Sequence, residues 1–133
     1  MHTVTVSSFV AASPETVWST IGDPSDISTW HPAIAHSLVE SDVRSCTLAD
    51  GAQISERIES VDHANQAYTY SITDSPLPVT DYMSTIQVSQ EGSGSVVRWT
   101  SSFEPSGAPI EDVAGLLEGV YSAGLGALRE QFA

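Results

Sequence analysis

The chain has 133 residues, 41% of them hydrophobic, with 17 acidic side chains against 4 basic ones and a formal charge of −13. That length suits one domain, 1–133, around one sizeable core, and the hydrophobic share excludes wholesale disorder. So acidic a surface repels phosphate backbones and anionic lipid, which argues against nucleic-acid and membrane partners; solubility alone accounts for it.

Met1 leads into HTVTVSSFV, which has neither a basic segment nor a long apolar run. No signal peptide or membrane-spanning helix is expected, and a cytoplasmic location follows by default. Within it Val4–Val10 alternates weakly and is a first strand. A helix start follows: Ser13 as cap, Pro14 at the first helical position and Glu15 in the first turn. Val17, Trp18 and Ile21 form its apolar stripe and Gly22 ends it. The segment DPSDISTW repeats the pattern as one or two turns capped by Asp23 or Ser25, closed by Pro32.

From there to Phe103 strands alternate with turns. Strands are expected at 36–41, 43–48, 52–61, 67–73, 79–89 and 95–103, with turns at ADG, DHANQ, DSPLP and EGSG. Such short connections imply antiparallel pairing. A final helix from Pro109 to about Phe132 carries Ile110, Val113, Leu117, Val120, Tyr121, Leu128 and Phe132 on one face. Gly115, Gly119, Gly124 and Gly126 lie inside it at a cost of about 0.8–1 kcal/mol each against alanine. Either the helix packs very close to a neighbour, or it leaves room beneath itself and bends. A single helix cannot fill a broad seven-stranded sheet, so the sheet curves around it and encloses a cavity.

The most informative stretch is Gly51–Asp62, where alternation puts Ile54, Glu56 and Ile58 on one face of a strand. The apolar partners are Tyr68, Tyr70 and Ile72, then Tyr82, Ser84, Ile86 and Val88, then Val97, Trp99 and Phe103, so Glu56 points inward. If Ala49-Asp50-Gly51 is a three-residue loop with Gly51 left-handed, Arg44 faces Glu56 and Cys46 faces Ile54. A two-residue turn would set Arg44 against Arg57, a destabilising pairing of like charges. Two readings of the Arg44–Glu56 pair stand: an internal ion pair that fixes register, or a polar anchor for ligand or catalysis.

The segments SPETVW, DPSDISTWHP, VRSCTLADGAQISERIESVD, YTYSI, PLPVTDY, VVRWTSSFEP and VYSAGLGAL together resemble bacterial SRPBCC proteins of the polyketide cyclase/dehydrase type. The resemblance spans essentially the whole chain. It implies the α+β helix-grip fold of START domains and birch-pollen allergens. A narrower likeness is to the plant lachrymatory factor synthases, whose essential arginine and glutamate fall by position on Arg44 and Glu56, and whose pocket aromatics fall on Tyr70, Tyr82 and Trp99. It implies a site able to hold a small substrate and move its protons.

The remaining candidates are weaker. His2, His31, His36 and His63 have no metal-ligand spacing, and neither a metal nor an organic cofactor is expected. His31, in WHP, is either a surface residue ending a helix or a ligand contact at the cavity mouth. Cys46, the sole cysteine, is expected to be an inert core thiol.

The expectation is a cavity with Arg44 and Glu56 as catalytic or anchoring groups. Arg44 would hold a ligand's anionic or oxygen end, and Tyr70 and Tyr82 would hydrogen-bond it. Trp30, His31, Ile58, Tyr68, Trp99, Phe103, Leu117 and Tyr121 would complete the lining. The partner is then a small hydrophobic or aromatic molecule, bound by a monomer or homodimer. Either Glu56 converts it by cofactor-independent acid/base chemistry, in the manner of a cyclase, dehydratase, isomerase or lyase, or the protein is a carrier or sensor of a small molecule or lipid.

Overall fold

The computed structural model describes residues 1–133. The elements run β1 (His2–Val10), α1 (Pro14–Ile21), a 3-10 turn (Pro24–Asp26), α2 (Ile27–Trp30), β2 (Ile34–Glu40), β3 (Val43–Leu48), β4 (Gln53–Asp62), β5 (Ala67–Asp74), β6 (Val79–Glu91), β7 (Gly94–Pro105) and α3 (Ile110–Gln131). The seven strands form one antiparallel sheet in the order β1-β7-β6-β5-β4-β3-β2. This is the helix-grip arrangement: the first strand closes against the last, and α3 packs chiefly against β1 and β7.

Local chemistry explains the boundaries. Ser13 Oγ accepts the Thr16 N–H at 3.3 Å and caps α1, and Asp23 does the same for the Ser25 N–H at 3.0 Å. Between them the α1 and α2 segments bury Val17, Trp18, Ile21, Ile27 and Trp30. Gly51 has φ +91°, the left-handed conformation that the three-residue β3–β4 loop requires. The pairing that follows sets Arg44 opposite Glu56, Cys46 opposite Ile54, and Val43 opposite Arg57.

Strand ends shift by one or two residues from the sequence expectation, β4 to Gln53–Asp62, β6 to Val79–Glu91 and β7 to Gly94–Pro105, and two further differences bear on the site. β2 starts at Ile34 rather than at residue 36, with an irregular step between Ile34 and His36. On α3 the buried face is Val113, Leu117, Tyr121, Gly124, Leu125 and Leu128; Val120 is 37% exposed at its border. A period of 3.6 fixes the stripe but not its edge.

The sheet is not uniformly knit. β5 and β6 pair from Ala67–Gln87 to Ser71–Met83 and no further. Ile72–Asp74 therefore faces Val79–Tyr82 across an open seam, and Asp81 there adopts φ +53° where the β6–β7 register shifts between Thr80 and Met83.

Candidate functional site

Arg44 and Glu56 meet on the concave face of the sheet. Arg44 Nε donates to Glu56 Oε1 at 2.8 Å, and the two side chains are 1% and 9% exposed. Arg44 Nη1 donates to the Pro24 carbonyl and to the Tyr68 hydroxyl, both at 3.0 Å. The guanidinium carbon also lies 4.7 Å from the Tyr70 ring centre and 5.5 Å from that of Tyr68, within cation–π range. Burial works most strongly against this charge, but the acidic groups around it, Tyr68 and Glu56 foremost, outweigh it and hold Arg44 well above the ordinary arginine range. Glu56 Oε1 also accepts from Cys46 Sγ at 3.5 Å. No protein group hydrogen-bonds Arg44 Nη2 or Glu56 Oε2.

Both residues line a cavity of about 110 Å³ beneath α3. Of its 17 lining residues, 14 are hydrophobic; the others are Arg44, Glu56 and His31. Of the residues named from the sequence, Arg44, Glu56, His31, Tyr70, Tyr82, Trp99, Leu117 and Tyr121 converge here. Trp30, Ile58, Tyr68 and Phe103 do not. Trp30 is buried against His31 and Trp99, and its indole N–H has no partner. Tyr68 lies behind Arg44, its hydroxyl taken by Nη1. Phe103 is fully buried near His2. Ile58 borders an outer groove with Asp23 and Pro24, beside the register shift between Ile58 and Ser60. The lining also includes Ile34, Cys46, Leu48, Ile54, Ile72 and Leu77, which were not singled out as ligand contacts. Alternation had turned Cys46, Ile54 and Ile72 inward, so their signal was available; nothing local marks Leu77, which reaches the cavity from the β5–β6 loop.

His31 is not a surface residue. It is 1% exposed and bridges two helices. Its Nδ1 accepts the Ala33 N–H at 3.1 Å, so Nε2 carries the proton and donates it to the Val120 carbonyl of α3 at 2.8 Å. Burial pulls the imidazole below its ordinary range, against the opposing influence of that carbonyl. Gly124 makes this contact possible: a Cβ there would sit 2.6 Å from His31 Cδ2. The aromatic wall is equally interlocked. Trp99 stacks on Tyr121 at 4.6 Å and donates its indole N–H to Tyr70 and Ser84. The Tyr82 and Tyr121 hydroxyls hydrogen-bond each other.

These environments divide the possible chemistry. Burial pushes the phenols of Tyr68, Tyr70, Tyr82 and Tyr121 upward, so they remain protonated near neutrality. Burial, helped by the neighbouring Glu56 carboxylate, pushes the Cys46 thiol up to about 12, which makes it a poor nucleophile. Both His31 nitrogens are engaged by backbone. Glu56 Oε2 is the one basic atom of the lining left without a partner.

The family model described as polyketide cyclase / dehydrase and lipid transport matches residues 1–133. Among solved structures, the protein XoxI from Bacillus cereus is similar over 99% of this chain and 96% of its own, at 39% identity and a TM-score of 0.97. An uncharacterized protein from Bacillus thuringiensis is 38% identical, with 98% of each chain covered and a TM-score of 0.94. A START superfamily protein from Mycobacterium smegmatis shares the fold at 15% identity and a TM-score of 0.83, covering 99% of this chain and 97% of that one. No curated protein matches in sequence.

Proposed function

This chain belongs to the polyketide cyclase/dehydrase and lipid transport family, and from that premise we propose that it binds a small hydrophobic molecule and engages its one polar group with Arg44 and Glu56. The family and the fold support hydrophobic-ligand binding in general. The Arg44–Glu56 pair carries the finer reading: two buried opposite charges line an otherwise apolar cavity, each with one hydrogen-bonding atom to spare. A buried ion pair seldom stabilises a fold better than well-packed apolar residues, so spare capacity on two residues that line a cavity favours use over architecture.

Arg44 Nη2 would polarise an oxygen of the ligand, and Glu56 Oε2 would accept or return a proton beside it. Proton transfer by one positioned carboxylate contributes about 10²–10⁴-fold to a rate. Tyr70 and Tyr82, kept protonated by burial, would act as donors and not as bases. Native mass spectrometry of the purified protein, before and after incubation with a library of small aromatic and carbonyl compounds, tests this in wild type and Glu56→Gln. Conversion by wild type that Glu56→Gln loses while still binding the compound is the expected result. Conversion at the same rate in the variant refutes the acid/base role, and binding unaffected by changes at both residues refutes the anchor.

A further inference from the structure

The charge balance of the cavity and its size narrow the ligand class. Arg44 and Glu56 are the ionised side chains of the lining, 2.8 Å apart and of opposite sign. His31 adds no charge, since one of its nitrogens receives a backbone N–H and the other gives its proton to a backbone carbonyl. The interior is therefore already neutral. An anionic ligand would enter as an uncompensated buried charge, because the one available cation is committed to Glu56; a cationic ligand meets the mirror-image problem. The exterior, at a formal −13, repels anions as well.

The spare atoms are complementary in kind. Arg44 Nη2 can only donate and Glu56 Oε2, on an ionised carboxylate, can only accept. They belong to one ion pair, so a ligand that satisfies both must present an acceptor and a donor close together. Size sets the last limit. An engineered cavity of about 150 Å³ holds benzene, and this one is about 110 Å³. Of its other walls, Ile54, Ile72, Leu77 and Leu117 are apolar, and the tyrosine hydroxyls are drawn into the aromatic network, Tyr82 with Tyr121 and Tyr70 with Trp99, so a longer polar chain finds little to bond.

We propose that the ligand is an uncharged molecule no larger than a six-membered ring, carrying an acceptor beside a donor, as a lactam, a small amide or a hydroxy-carbonyl compound does. The proposal rests on the reading that the Arg44–Glu56 cavity is a binding site, and it deepens that reading.

Four probes of graded chemistry test it: 2-pyrrolidinone (acceptor and donor), γ-butyrolactone (acceptor only), butyrate (an anion) and 1-decanol (neutral but long). The readout is the Arg44 Nε–H resonance in ¹⁵N–¹H NMR titrations. The lactam should shift it saturably, the lactone should bind at least about tenfold more weakly for want of the donor, and butyrate and decanol should leave it unmoved. Glu56→Gln leaves the cavity with one net positive charge, and butyrate should then gain at least about tenfold over wild type. Butyrate or decanol binding to wild type as tightly as the lactam overturns the ligand class but leaves the site standing, as does a lactone that matches the lactam. No response of Arg44 to any probe removes both the class and the site. If Glu56→Gln does not fold, the wild-type comparison decides alone.

Discussion

Removing Arg44 and Glu56 one at a time should cost far more in sum than removing both together. Arg44→Met leaves a carboxylate 9% exposed without its 2.8 Å donor, and strips the Pro24 carbonyl and Tyr68 hydroxyl of theirs. Breaking a buried pair in this way costs about 3–5 kcal/mol, a large part of the roughly 5–15 kcal/mol that holds a domain together. For a chain of this size that is a fall in melting temperature of roughly 10–20 °C. Glu56→Leu strands the guanidinium to a comparable extent. In Arg44→Met/Glu56→Leu no charge is left unpaired, and the residual cost is that of the orphaned Pro24 and Tyr68 oxygens, about 1–3 kcal/mol each, which Arg44→Met bears as well. The double variant should thus be more stable than Arg44→Met and lose far less than the two single losses together. Urea denaturation of the four proteins at pH 7, with midpoints and slopes fitted together, measures the coupling. If the double variant loses the sum of the two single losses, or if Arg44→Met costs less than about 0.5 kcal/mol, the two groups do not depend on each other and the reasoning fails.

The glycines of α3 should respond with opposite signs. A Cβ at Gly115 or Gly119 meets nothing within 4 Å, so alanine there should stabilise by about 0.8–1 kcal/mol; Gly124→Ala forces His31 aside and should cost about 1–3 kcal/mol by the same denaturation assay. His31, whose folded value lies below its unfolded one, makes the unfolded chain bind the extra proton. Its contribution is therefore intact above the ordinary value near 6.5 and is lost as pH falls below it. Stability plotted against pH should fall as pH drops through that window for wild type and lose that component in His31→Gln, while long-range ¹⁵N NMR at a pH above the ordinary histidine value should show a neutral ring protonated at Nε2.

The cross-strand pair was legible because two local rules agree on it. Alternation turns Glu56 inward, and Gly51 at φ +91° selects the loop that sets Arg44 against it. What lay beyond reach came from elements distant in sequence. Nothing in DPSD reveals that the Pro24 carbonyl accepts from Arg44, because that contact depends on how α1 and α2 dock. The same docking buries His31 and packs Trp30 against Trp99, outside the cavity lining. Ile58 keeps its alternation, paired with Tyr70 and packed against the core, but it borders the groove beside Asp23 and Pro24 and not the cavity, a position along the strand that alternation does not specify. The glycines of α3 posed an alternative that the structure resolves residue by residue, with close approach at Gly124 and open space at Gly115 and Gly119.

The seam between β5 and β6 has its own consequence. Backbone amides that face it from Thr73 to Asp81 lack the strand partners that shelter their neighbours, and Thr73, Asp74, Thr80 and Asp81 are already in contact with water. Hydrogen exchange there needs no unfolding. Ile72 and Tyr82 stand at this break with the cavity on one side and, on the other, a second surface groove that Glu59, Ser71, Asp81 and Met83 also line. A two-side-chain partition, and not a continuous ladder of hydrogen bonds, divides the interior from solvent at that point.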